Sequence, residues 1–307
     1  MEKQTTNTVL MIRPAHFGYN PETAMDNEFQ QKPGVEDKNA SAIALEEFDQ
    51  AVKTLTEAGV NVLVYEDTDQ PVKTDAVFPN NWFSTHQDGT VLTYPMSSPN
   101  RRAEVRQDII DDLATKFKVT RDYTMVHYVD DNLFLEGTGS LILDRTNKVA
   151  FACLSPRTSI QLLDKWAVIM GYKVIYFNAL SADDKPIYHT NVMMCLGEKF
   201  VIICLETVKD DAERERLLKW FSKLNKEVIS ITEAQMNAFA GNMLELRNNL
   251  GQRIVVCSTT AKDALNPEQK ARIEHFAKLV PIEIDTIERL GGGSARCMIA
   301  EIFLQKK

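Results

Sequence analysis

The chain has 307 residues, 44% of them hydrophobic and 25% charged, ordinary values for a globular protein long enough to bury a large core. Its net charge of −8 offers nothing to nucleic acid or to an anionic membrane surface. Five scattered cysteines without CxxC pairing argue against a zinc site or a disulfide framework; with a polar N-terminus and no long apolar run, the expectation is a cytosolic protein without signal peptide or membrane span.

Thr8 to Arg13 is a short apolar run stopped by Pro14, as a buried strand would be. Pro21 to Gly34 is polar and reads as a long loop that could serve as a lid. Glu36 to Ala58 carries Leu45, Phe48, Val52 and Leu55 at helical spacing and ends at Gly59, and Val60 to Tyr65 follows as a strand.

The same order returns along the chain. Ala103–Phe117 places Val105, Ile109, Leu113 and Phe117 on one helical face. Ser159–Met170 is a helix with Ile160, Leu163 and Met170 inward, before the strand Lys173–Phe177. Asp210–Leu224 has an acidic first turn and the apolar set Leu217, Leu218 and Phe221, before the strand Val228–Ile231. Pro267–Lys278 is opened by proline after Asn266, before the strand Ile282–Ile284. Between these units lie two hairpins, Ser140–Asp144 with Val149–Leu154 and Val192–Leu196 with Phe200–Cys204. Five helix-then-strand units at a spacing of roughly 50 residues, without residue identity, fit a propeller-like α/β arrangement in a single domain, 1–307.

Three stretches carry residues suited to chemistry. Gly291-Gly292-Gly293-Ser294-Ala295-Arg296-Cys297-Met298 delivers a thiol after a glycine run, where backbone can turn tightly or approach a ligand. A cysteine nucleophile needs a proton-transfer partner close in space. Of five histidines, His275 reads as helix surface and His16 as a loop residue; His86 and His127 follow strands. His189, in Tyr188-His189-Thr190-Asn191, stands at the start of an apolar strand that can aim it. Glu136 lies between the apolar run Leu133-Phe134-Leu135 and two glycines, where burial of a carboxylate calls for a partner. Cys153, Cys195, Cys204 and Cys257 sit in apolar runs and read as core.

Leu135-Glu136-Gly137-Thr138-Gly139, His189-Thr190-Asn191 and the Gly291–Met298 stretch, in this order, resemble the guanidine-modifying superfamily of arginine deiminases, dimethylarginine dimethylaminohydrolases and amidinotransferases. Phe78-Pro79-Asn80-Asn81-Trp82 and Gly241-Asn242-Met243-Leu244 fit as well, so the resemblance spans the chain and is nearest the branch associated with citrulline use. It implies a five-fold pseudosymmetric α/β propeller, the pentein fold. It also implies Cys297 as nucleophile, His189 as general acid and base, and Glu136 as a carboxylate holding substrate nitrogens. No metal or other cofactor is implied. The substrate would be a small amino acid, its carboxylate gripped by Arg101 or Arg102 and by Arg157, since a guanidinium fork matches two carboxylate oxygens. Self-association stays open.

The chain departs from the deiminase pattern at three places. Asn81 and Asn191 stand where acids are usual, and the acidic glycine motif ends in Gly139 rather than aspartate. A cation would miss those charges, whereas an amide offers donor and acceptor to a neutral urea. The expected reaction is therefore hydrolysis of citrulline to ornithine, ammonia and carbon dioxide. Asp130 or Asp131 could restore a carboxylate and with it an arginine-type substrate. Asn242 either lines the pocket floor or caps backbone. Two alternatives remain: an amidinotransferase with a second amine acceptor, and a non-catalytic propeller that binds an amino acid.

Overall fold

A computed structural model describes residues 2–307. Its strands form five sheets of three, all with one plan. A central strand pairs antiparallel with the strand before it and parallel with the strand that returns after a helix. In chain order the central strands are Thr8–Arg13, Thr90–Thr93, Val149–Cys153, Phe200–Ile203 and Arg253–Ser258. The first sheet takes its antiparallel strand, Ala300–Glu301, from the far end of the chain, in register Val9 to Glu301 and Leu10 to Ala300. The fold is thus the expected five-fold pseudosymmetric α/β propeller, with the first blade closed by the last strand.

Each helix covers its sheet with one apolar stripe. Ala40–Glu57 buries Ala44, Phe48, Ala51 and Leu55 fully, while Leu45 and Val52 lie at the edge of the stripe, half-buried. In Asp211–Lys223 the buried pair is Leu217 and Phe221. Leu218, expected inside, is 38% exposed, because one residue turns about 100° around a helix. Helix starts are set by local chemistry: the Asp210 carboxylate accepts from the backbone of Glu213, and Asn266 with Pro267 opens Pro267–Phe276 through a reciprocal bond with Gln269. The strand expected at Ile282–Ile284 is Lys278–Ile282 instead, and it contains Pro281. It is an edge strand, where a missing N–H is tolerated.

This topology places the site. Just ahead of each antiparallel strand the chain makes a short turn or single helical turn: Pro79–Asn81, Gly137–Ser140, Thr190–Met193, Phe239–Met243 and Ser294–Ile299. Five equivalent segments therefore meet near the pseudosymmetry axis. Among the described residues no helix is long and apolar enough to cross a membrane, and all five cysteines are free and buried.

Candidate active site

Cys297 lies in the turn that follows helix Asp285–Gly291 and is 3% exposed. Gly292 ends that helix at φ 63°, the left-handed conformation that favours glycine, so the three glycines form a helix stop rather than a free loop. The Gly292 carbonyl accepts from the Tyr188 hydroxyl at 2.6 Å and from the Asn27 amide at 3.2 Å, which fixes the approach to the thiol. The Cys297 sulfur receives Asn191 Nδ2 and Asn242 Nδ2, each at 3.3 Å.

His189 is buried and its Nε2 stands 2.8 Å from Glu136 Oε2. A carboxylate only accepts, so Nε2 carries the hydrogen and the neutral ring keeps Nδ1 as its basic nitrogen. Burial lowers the pKa of His189 despite Glu136, which favours that neutral ring. Glu136 has no exposed surface and its other oxygen accepts from the Ser97 N–H at 2.8 Å. Burial alone would raise its pKa; the Arg157 charge and the His189 bond hold it down at about 2. Both Glu136 oxygens are thus engaged with protein, one with the Ser97 N–H and one with His189.

Gly139 explains one departure from the deiminase pattern. A Cβ there would come within 2.5 Å of Asn81 Nδ2 and 2.8 Å of His189 Nδ1, so no aspartate fits. Asn81 is buried, and its Oδ1 accepts from Arg101 Nη1 at 2.9 Å. Because arginine can only donate, this bond fixes the amide and leaves Nδ2 facing inward without a partner among the described residues. Asn191 Oδ1 and Asp75 Oδ1 are unpartnered in the same way.

Arg101 forks onto Glu104 with two bonds of 2.8 Å and stands 3.6 Å from Asp75. Burial lifts Glu104 to about 7 even against the Arg101 charge. Arg157 is pinned by Asp26, by the Thr23 carbonyl at 3.1 Å and, at 3.6 Å, by Glu136, with its guanidinium over the Tyr188 ring. Arg102 points elsewhere: it donates to the Met96 and Ser97 carbonyls and so braces the backbone whose N–H meets Glu136. Asp130 and Asp131 are exposed, and Asp131 does not line the cavity. The additional carboxylate of the cavity is Asp75, absent from the sequence reading. Its signal was the one used for Glu136, an acid beside an apolar run, here Ala76-Val77-Phe78. Burial raises its pKa, with Arg101 opposing. Asn242 Oδ1 accepts the Arg296 N–H at 3.0 Å, so Asn242 caps backbone as well as meeting sulfur. His86 is buried in a network with Ser84 and Tyr94, away from the cavity, and His127 and His275 are exposed.

The cavity is lined by Asp75, Asn81, Arg157, Tyr188, His189 and Cys297 together with the glycine run, and holds about 10 Å³, about the least that admits one water. Residues 21–34, with Asn20 just before them, close it: Asn20 and Thr23 bond Asp75, Asp26 holds Arg157, and Phe29 packs against Tyr188. A far larger cleft of about 490 Å³ opens near both termini, yet its lining contains no cysteine, histidine or carboxylate. Size therefore does not identify the site; the chemistry does.

A family model described as "N,N dimethylarginine dimethylhydrolase, eukaryotic" matches residues 13–304. The chain belongs to this family. It is accordingly a guanidino-modifying enzyme, a hydrolase of C–N bonds outside peptides. No curated protein matches it in sequence. Among solved structures it is similar to the N-terminal domain of ArgZ, a cyanobacterial arginine dihydrolase of the ornithine-ammonia cycle, in a cysteine-to-serine form bound to substrate. That likeness has a TM-score of 0.74 and 16% identity over 96% of this chain and 97% of the other. Unliganded AgrE gives a TM-score of 0.74 at 17% identity, over 96% of this chain and 39% of that one. A dimethylarginine dimethylaminohydrolase variant carrying an S-methyl-L-thiocitrulline adduct gives 0.66 at 14% identity, over 98% and 100%. At such identities the likeness speaks for the fold of the family.

Proposed function

We propose that the enzyme hydrolyses the ureido group of citrulline, giving ornithine, ammonia and carbon dioxide. The observation that carries this reading is the Asn81 amide. Arg101 holds its oxygen, so the group it offers the cavity is a donor, Nδ2. A guanidinium consists of donors and gives Asn81 nothing to bond; a urea carbonyl accepts. The open acceptor Asp75 Oδ1, on a residue that lines the cavity, suits a ureido N–H group.

In this reading Cys297 gives its thiol proton to Nδ1 of His189, and the resulting thiolate attacks the ureido carbon. His189 protonates the departing nitrogen as the first C–N bond breaks, leaving a thiocarbamate on sulfur. His189 then takes a proton from water, whose oxygen attacks the same carbon and expels the sulfur. The released carbamate loses carbon dioxide and frees the second nitrogen. One water enters, and ornithine, ammonia and carbon dioxide leave. Glu136 keeps the imidazole aimed, and Arg157 anchors the amino-acid carboxylate once Asp26 gives way. We place the enzyme in a reducing compartment, a setting supported by its five free cysteines.

A second reading, an arginine dihydrolase like the ArgZ relative, is favoured by Asp75, a buried carboxylate with one oxygen free for a guanidinium. Ammonia and ornithine release from citrulline and from arginine separates the two. A buried donor left unpaired costs about 1–3 kcal/mol, so kcat/KM is expected to favour citrulline by about 10- to 100-fold. The variant Asn81→Asp should narrow or reverse that ratio. Preference for arginine by the unaltered enzyme would overturn the citrulline assignment.

A further inference from the structure

The sulfur of Cys297 is approached by two side-chain amides, and for Asn242 the surrounding bonds fix which atom it presents. Asn242 receives the Arg296 N–H on Oδ1 at 3.0 Å, so its NH2 group is turned to the Asn191 carbonyl, at 2.9 Å, and to sulfur, at 3.3 Å. Asn191 brings Nδ2 to 3.3 Å from the same sulfur, and its Oδ1 has no partner among the described residues. Asn242 Oδ1 is farther away, at 3.7 Å. An amide N–H can only donate, and a thiolate is a far stronger acceptor than a thiol.

We propose that Asn191 and Asn242 form a seat for the Cys297 thiolate, catalytic residues that touch the reacting sulfur rather than the substrate alone. This rests on the reading of Cys297 as nucleophile. The charged and titratable groups around the sulfur come from four of the five blades: Arg101 and Asp75, Glu136, Arg157 held by Asp26, Tyr188 and His189, and Arg296 with Glu301. Two of the arginines are matched by carboxylates, Arg157 by Asp26 and Glu136 and Arg296 by Glu301, and Arg101 is forked onto Glu104. Their charge is largely spent within the protein. A cationic substrate would bring its own charge to the sulfur; a neutral ureido group brings none. Two amide donors, that of Asn242 fixed by its backbone bonds, supply in the free enzyme what such a substrate cannot, since an unassisted cysteine is only a few per cent thiolate at neutral pH.

The test uses the free enzyme. Thiolate ultraviolet absorbance is followed across pH with Cys297→Ser as blank, and the rate of iodoacetamide modification of Cys297 is read by peptide mass spectrometry. Asn191→Ala is the cleaner variant, because the sulfur is the one bond its side chain is seen to make; Asn242→Asp, which turns a donor into an acceptor, is the second. Each is expected to move half-titration up by about one pH unit and to slow modification at neutral pH by about ten-fold, the rates converging with the parent at high pH. Opening of the cavity enters all these rates alike and cancels in the ratios. An unchanged pH profile with only KM raised, or a uniform loss at every pH, would overturn the seat. Failure of the nucleophile reading looks different: Cys297→Ser would then keep its turnover.

Discussion

At the scale of the residue, the site turns on a carboxylate kept charged without contact with solvent. Burial raises the cost of the Glu136 charge, and Arg157, His189 and the Ser97 N–H more than offset it, holding its pKa near 2 against an ordinary 4.5. A depressed folded pKa stabilises the fold above the unfolded value, and that stabilisation is lost as pH falls from about 4.5 towards 2. Glu136→Gln should therefore lower stability at neutral pH by about 1–3 kcal/mol, the cost of weakening the buried bonds to His189 and the Ser97 N–H and of taking one of its two carboxylates from Arg157. Its stability should also vary less with acid between those two pH values than that of the parent. Urea titrations at several pH values check this; a variant with the parent's slope would show that Glu136 is not the group titrating. Turnover should fall too, because Nε2 of His189 loses an ionised acceptor.

At the scale of the element, closure resides in residues 21–34 and chiefly in Asp26. Its bond to Arg157 joins this segment to the turn after strand Val149–Cys153, and a charge-assisted bond of this kind contributes about 1.5–3 kcal/mol. Asp26→Asn should speed amide hydrogen exchange across the segment and leave the blade strands protected as before. Exchange unchanged in 21–34 would mean that Asn27 and Phe29, not Asp26, hold it down. The segment reads as a loop from its proline, glycine and polar residues, but its contacts with Asp75 and Arg157 are between residues far apart in sequence and leave no local mark. The same limit explains Arg121–Thr124, a strand of polar, largely exposed residues with no alternation to reveal it. The helices were legible because one apolar stripe repeats at helical spacing. Cys297, His189 and Glu136 stood out through their neighbours, glycine runs and strand ends. The Arg102 bracing role and the two-amide approach to sulfur were not legible, because they depend on where an amide's two ends point.

At the scale of the molecule, the propeller closes by pairing its last strand with its first, and Cys297 lies three residues before that strand. Ring closure and positioning of the sulfur are therefore one structural event. Beyond Ala300–Glu301, the side chains of Ile302, Phe303 and Leu304 are buried, and the Thr85 hydroxyl ties this tail to the second blade through the Glu301 carbonyl and the Phe303 N–H. Burying a large apolar side chain contributes about 1.5–3 kcal/mol, so these three together approach the whole net stability of an ordinary domain, about 5–15 kcal/mol. A chain truncated after Ile299 keeps every residue that lines the cavity. It is nevertheless expected to lose cooperative thermal unfolding and all turnover, because the first blade is left with an open edge and the turn holding Cys297 with no strand to end in. Restoring residues 300–307 as a separate peptide should recover part of both. A truncated chain that melts cooperatively near the parent Tm would show instead that the blades stand without closure, and that the sulfur is held by its two amides alone.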